Sequence, residues 1–199
     1  MIEVIDITLK RGKRNILEKF SYNFPTIGGT LVIGKNGAGK SSLVRAIAGD
    51  LPISAGEIRI NEKDIAKLKP VAQFQLRSVA GQRSEFQFGY KVGEILELPF
   101  IYGQECGNRK EIEKLLDINR DMRVNELSIG QQQRVNIAMA LIVDTPYYLL
   151  DEPFSAQDSN HQAAIEELLL EIARDRGVVV VSHGVSRLNS GFSNICSVE

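Results

Sequence analysis

Apolar positions along the chain alternate between two rhythms. Thr30 to Ile33 is a short β-branched run ending at Gly34, and Tyr147–Leu150 and Val178–Val181 are continuous apolar runs. Runs of that kind predict strands buried on both faces. Arg77–Ala80 reads as a further strand. Between them lie stretches at helical spacing: Leu43, Val44 and Ile47 after Lys40; Val135, Ala138, Met139 and Ile142 after Gly130; Ile165, Leu168, Leu169 and Ile172 after Ser159. Ser159-x-x-Gln162 has the form of a capping box opening the last helix. Gly56 then Glu57-Ile58-Arg59-Ile60 predicts a strand after a turn, paired with the N-terminal strand in a small antiparallel sheet. Residues 84–126 change character, with Phe86, Phe88, Tyr90, Pro99, Phe100 and Tyr102 before a charged helical segment from Arg109 to Asp117. They read as an inserted, mostly helical lobe. The whole predicts an α/β fold with a mostly parallel sheet covered on both faces.

Composition narrows the class. With 43% hydrophobic and 25% charged residues the 199-residue chain is an ordinary globular protein, so disorder and a disulfide scaffold are excluded. Cys106 and Cys196 lie far apart and predict free thiols. The N-terminus MIEVIDITLK lacks the form of a signal peptide. The longest apolar run, 137–143, is far short of the roughly 18 residues of a membrane span, so any membrane link is expected to go through a partner. A net charge of −1 argues against a nucleic-acid partner. That charge is unevenly shared: residues 1–91 carry net +7 and residues 92–199 net −8. Either these are the solvated faces of two lobes, or the first half holds a polyanion and the second its metal.

Gly34-Lys35-Asn36-Gly37-Ala38-Gly39-Lys40-Ser41 matches G-x-x-x-x-G-K-[ST], followed by Ser42. Glycines let the backbone wrap closely, so that successive N–H groups converge on phosphate oxygens at a helix N-terminus. Lys40 supplies a mobile charge for the β/γ phosphates and Ser41 an oxygen for Mg²⁺. The loop by itself does not choose among kinases, GTPases and transport ATPases.

The second half narrows that choice. Asp151 and Glu152 end the apolar strand that begins at Tyr147. Asp151 suits Mg²⁺, and Glu152 suits orienting or deprotonating a water. The plainer alternative is an acidic strand end capping the next helix. His183 follows the Val178 strand, which is expected beside the Asp151 strand, near a γ-phosphate. Leu127-Ser128-Ile129-Gly130-Gln131 opens a helix, and a capping box from Ser128 to Gln131 accounts for it fully on local grounds.

Taken together, the chain resembles the ATP-binding cassette (ABC) ATPases, over essentially its whole length and with six motifs in order. These are the Walker A loop at 34–41, the Q-loop Gln82, the signature at 127–131, Walker B at 147–152, the D-loop Ser155-Ala156-Gln157-Asp158 and the switch His183. The resemblance implies a P-loop, RecA-like core with a small antiparallel β subdomain (1–83 and 127–199 together) and a helical subdomain at about 84–126. It implies ATP and Mg²⁺, with Mg²⁺ held by Ser41, Gln82 and Asp151, and catalysis by Glu152, His183, Gln82 and Lys40. It implies head-to-tail pairing with a second copy or a related cassette, each ATP also touching Ser128, Gly130 and Gln131 of the other subunit, with Asp158 at the seam. It further implies transmembrane permease subunits, a cytoplasmic location on the membrane's inner face, and, for an importer, a substrate-binding protein.

Three positions depart from the family pattern. Ile129 stands where a glycine is common, Gln157 where a leucine is usual, and Lys10-Arg11-Gly12 where an adenine-stacking aromatic is usual, leaving the Arg11 guanidinium to stack on the base. With 16 residues after His183, a minimal cassette is expected. The stretch from Gln82 to Pro99 resembles iron-chelate and vitamin B12 importer ATPases, and Phe86, Phe88 and Tyr90 suit either a groove for a permease helix or the core of the lobe. The expected function is the ATPase of an importer. The alternatives are a short export-type cassette, of the haem or cytochrome c maturation kind, and a non-transport ABC ATPase.

Overall fold

The computed structural model describes residues 1–82, 89–183 and 187–199. The chain opens with two long strands, β1 (Ile2–Arg11) and β2 (Arg14–Phe24), then β3 (Gly28–Ile33) and helix α1 (Lys40–Ile47). β4 (Ala55–Ile60), β5 (Lys63–Asp64), the short α2 (Pro70–Phe74) and β6 (Arg77–Ala80) follow. Next come α3 (Val92–Ile95), β7 (Gln104–Glu105), α4 (Arg109–Leu115), α5 (Ile129–Leu141) and β8 (Val143–Asp144). β9 (Tyr147–Asp151), α6 (Ser159–Ile172), β10 (Gly177–Val181), α7 (Leu188–Gly191) and β11 (Asn194–Ser197) complete the fold.

A parallel sheet runs in the order β11-β3-β10-β9-β6, and an antiparallel sheet in the order β2-β1-β4-β5. Both expected sheets are present, with β4 paired antiparallel to β1. The period of two along each central strand divides the interior in two. Val32, Tyr147, Leu149, Val179 and Val181 face a core shared with Leu43, Val44 and Ile47 of α1 and with Ile2, Val4, Ile7, Ile58 and Ile60 of the antiparallel sheet. Leu31, Tyr148, Leu150, Val178 and Val180 face the other core, under α5 and α6. Every residue of β9 and β10 is buried, which is why those strands read as unbroken apolar runs.

The second core continues without a break into the segment before α5: Ile112, Leu116 and Val124 pack with Val135 and Leu141. Among the described residues of that segment the helices are short: Val92–Ile95 and Arg109–Leu115 are α-helical, Leu98–Ile101 and Val124–Glu126 are 3-10 turns, and Gln104–Glu105 pairs antiparallel with Val143–Asp144. Its polar side is held by Arg109, whose guanidinium reaches Glu97 at 2.5 Å and Glu113 at 2.9 Å and lies 4.6 Å from the Phe100 ring centre. Phe86 and Phe88 fall outside the described residues, and Tyr90 is exposed.

One helix start differs from expectation. Asp158, not Ser159, caps α6: its Oδ1 accepts from the Asn160 and His161 amides, both at 3.0 Å. A carboxylate brings a negative charge to the positive end of the helix, which a serine hydroxyl would not. Gln162 then bonds forward to Glu166 at 2.8 Å instead of back to the cap. Cys106 and Cys196 are free, as expected, and no helix among the described residues is long and apolar enough to cross a membrane.

Candidate active site

The chemistry gathers at the carboxyl ends of four adjacent parallel strands, where open α/β sheets bind their ligands. β3 runs into the glycine loop, β10 into His183, β9 into Asp151 and Glu152, and β6 into Gln82. The register aligns them: Val181 pairs with both Val32 and Asp151, and Ala80 with Leu150. Residues scattered over 150 positions of sequence therefore end on one rim.

Gly39 caps α1 in the left-handed region, at φ 106°. A side chain there would be strained, and its Cβ would lie 2.6 Å from Ile16 Cγ2. The loop therefore closes tightly under β2. Lys40 is buried, with Nζ inside the curve of the loop, donating to the carbonyls of Gly34 at 2.9 Å and Lys35 at 3.0 Å. Burial lowers its pKa, while the carboxylates of Glu152 and Asp151 act in the opposite direction.

Ser41 Oγ donates to Asp151 Oδ1 at 3.0 Å, which joins the start of α1 to the end of β9. Asp151 is buried and its pKa is raised, chiefly by desolvation. A buried carboxylate with a hydroxyl partner is a site that gains from a cation. The serine oxygen, this carboxylate and the Gln82 amide oxygen are hard oxygen donors, the kind that suit Mg²⁺. The donor set expected from the sequence therefore fits that ion.

Glu152 is the hub of the rim. Its Oε2 accepts from Gln82 Nε2 at 2.8 Å, and its Oε1 lies 2.7 Å from His183 Nε2. Its backbone sits in the left-handed region at φ 51°, an unusual state for a side chain of this size. The Glu152 amide donates to Val181 O at 3.0 Å, and its carbonyl accepts from Gln133 Nε2 at 2.7 Å.

Asn36, Gly37, Gly39, Lys40, Ser41, Ser42, Gln82, Glu152, His183 and Arg11 line one cleft of about 770 Å³, with Arg14, Asn15 and Ile16 on its far wall. Gly34, Lys35 and Ala38 belong to the same loop, and Asp151 lies beneath Ser41. Ser128, Gly130, Gln131 and Asp158 do not line the cleft. Ser128 and Gln131 form the expected capping box of α5, at 2.9 and 3.3 Å, and Ile129 is 79% exposed beside them. Asp158 pairs with its own His161, Oδ2 to Nδ1 at 2.7 Å, which holds its carboxyl at about 2, first through the His161 amide and then through the ring.

Sequence reasoning missed Arg14, Asn15 and Ile16, which only the β1–β2 pairing carries to the cleft, and Gln133. The latter had a signal, a polar residue at a buried position of α5.

Residues 17–155 match the family described as ABC transporter. Among curated relatives, the hemin import ATP-binding protein HmuV of Rhizobium meliloti is 34% identical, covering 98% of this chain and 80% of its own. A probable iron chelatin transport ATP-binding protein of Helicobacter pylori is 31% identical over 91% of this chain and 76% of its own. The zinc transport system ATP-binding protein TroB of Treponema pallidum is 31% identical over 98% and 76%. Among solved structures, a dimeric post-hydrolysis state of an ATP-binding cassette bound to ADP and Pi superposes with TM-score 0.88 at 25% identity, covering 100% of this chain and 94% of that one. With its 34–41 glycine loop, Asp151, Glu152 and His183 on one rim of a parallel sheet, the chain belongs to the ABC transporter family.

Proposed function

We propose that this chain, an ATP-binding and ATP-hydrolysing cassette of an ABC transporter, drives import of a chelated iron species such as haem. The rim geometry carries the ATPase half of that reading: one carboxylate, Glu152, contacts both Gln82 and His183 beside the Lys40 loop. The relatives named for hemin and iron chelate support the cargo. TroB, named for zinc, is the specific observation that favours a second cargo, a divalent cation.

In this reading the amides of the 34–41 loop and Lys40 hold the β/γ phosphates, and Arg11 with Ile16 flanks the base. Phosphoryl transfer rests on positioning and charge stabilisation. Glu152 orients the attacking water and takes its proton, while His183 and Gln82 keep the carboxylate aimed at it. Ser41, Asp151 and Gln82 would hold Mg²⁺, which, when bound, neutralises charge on the phosphate oxygens. The 128–131 end of α5, with Ser128 and Ile129 exposed, serves the nucleotide of a second cassette through its helix N-terminus. The dimeric cassettes among the structural relatives support that pairing. Permease subunits bring the chain to the cytoplasmic face of the membrane, and a substrate-binding protein delivers the cargo.

Reconstitution of the chain with its permease in vesicles tests the proposal. ATP-dependent uptake of haem or a ferric chelate, and not of zinc, is expected. Uptake of zinc alone, or efflux, would overturn the cargo or the direction.

A further inference from the structure

Glu152 combines two demands that conflict. Its side chain must point at the cleft, yet its backbone adopts a left-handed conformation, at φ 51°, that an ordinary residue rarely takes. Such a state persists only when the surroundings over-determine it. On the amide side the holder is β10, through Val181 O. On the carbonyl side it is a side chain, Gln133 of α5.

Gln133 is buried among polar groups and uses both ends of its amide. Nε2 donates to Glu152 O at 2.7 Å and to Ser155 Oγ at 3.2 Å. Oε1 accepts from the Ala156 amide at 3.2 Å and from Gln157 Nε2 at 2.9 Å. Gln157 continues the chain to Gly130 O at 3.2 Å, and its own Oε1 accepts from Arg134 Nη1 at 3.4 Å. The packing agrees: a Cβ on Gly130 would lie 2.5 Å from Ala156 O, so the start of α5 rests directly on the 155–158 loop.

We propose that Gln133 is a positioning residue for Glu152, and that Gln157 braces it, so that one side-chain hydrogen-bond chain from Gly130 to the Glu152 carbonyl sets the aim of the carboxylate. An amide is suited to this task because it donates and accepts at once; a leucine at 133 would leave the Glu152 carbonyl and the Ala156 amide without that partner, and a leucine at 157 would leave the Gly130 carbonyl without its own. The proposal rests on the reading of Glu152 as the base.

The test is steady-state and single-turnover ATP hydrolysis by the full chain carrying Gln133→Leu, Gln133→Glu or Gln157→Leu. Each is made alone and in a Glu152→Gln background, with ATP affinity measured alongside. Gln133→Leu is expected to lower kcat by about tenfold or more, the scale at which a displaced catalytic group is felt, with KM within about twofold. Gln133→Glu keeps the acceptor but loses the donor to the Glu152 carbonyl, and should also lower kcat. Gln157→Leu should cost less, and combined with Gln133→Leu should add little, since both act through one chain of contacts. With Glu152→Gln present, Gln133→Leu should slow the reaction no further.

A folded Gln133→Leu chain with unchanged kcat, or losses that simply multiply in the Glu152→Gln background, would overturn the proposal. Should Gln133→Leu not fold, Gln133→Glu and Gln157→Leu decide on the same terms. Full turnover by Glu152→Gln alone would overturn the base reading, a result distinct from a slow Glu152→Gln beside an unaffected Gln133→Leu.

Discussion

His183 Nε2 lies 2.7 Å from Glu152 Oε1, a contact between residues that follow neighbouring parallel strands. It ties the end of β10 to the end of β9, and Gln82 adds the end of β6 on the other carboxylate oxygen. The Glu152 carboxylate is thus held from both sides, as the proposed base would need to be.

Glu152→Gln should therefore lower kcat by about 10²–10⁴-fold, the usual scale of general-base loss, while ATP binding persists. Gel filtration with ATP should show a trapped dimer. His183→Ala should lower kcat by a smaller factor. A Glu152→Gln chain that runs as a monomer at full turnover would contradict the assignment.

Lys40→Ala removes the ammonium inside the curve of the 34–41 loop, the proposed phosphate site. Nucleotide affinity should fall by at least about tenfold, the equivalent of one charge-assisted hydrogen bond of about 1.5–3 kcal/mol. Unchanged affinity by calorimetry would count against the loop's role. Asp151→Asn should leave ATP affinity nearer to normal and raise the Mg²⁺ concentration needed for half-maximal turnover.

Mixing Ser128→Arg chains with Lys40→Ala chains probes whether a site is shared between protomers. Each variant alone should be inactive, and the mixture should regain part of the activity, since one intact composite site can form. No recovery would contradict the head-to-tail arrangement.

Asp158 has its folded pKa depressed to about 2 from 3.8, so its contribution to stability is present above about pH 4 and lost as pH falls towards 2. The gap in urea midpoint between the native chain and Asp158→Asn should narrow across that window. A gap that stays constant down to pH 2 would show that the cap carries no differential charge.

Cys196 behaves in the opposite sense. Burial pushes its thiol up to about 12 from 9.0. Its contribution is complete below pH 9 and is lost as pH rises towards 12. Native Cys196 should resist thiol reagents at pH 8 that label the half-buried Cys106 more readily, and both should react in urea. The stability advantage over Cys196→Ala should shrink between pH 9 and 11.

The sequence by itself supplied the candidate chemistry. Gly34 to Ser41, Asp151, Glu152 and His183 are short patterns, and each implies its role through backbone freedom, charge or lone pairs. It also determined which residues are buried, because periods of two and of 3.6 are local properties. It did not determine which strand lies beside which. The order β11-β3-β10-β9-β6 results from packing two cores on opposite faces of one sheet, an energy summed over contacts far apart in the chain. Only that order brings Gln82, Glu152 and His183 within hydrogen-bond reach. The same holds for Arg14 to Ile16, which reach the cleft through antiparallel pairing with β1, and for Gln133, whose partners begin 19 residues further on. The cap at Asp158 in place of Ser159 was a local choice between a carboxylate and a hydroxyl one residue apart, and the structure shows the carboxylate taking the Asn160 and His161 amides.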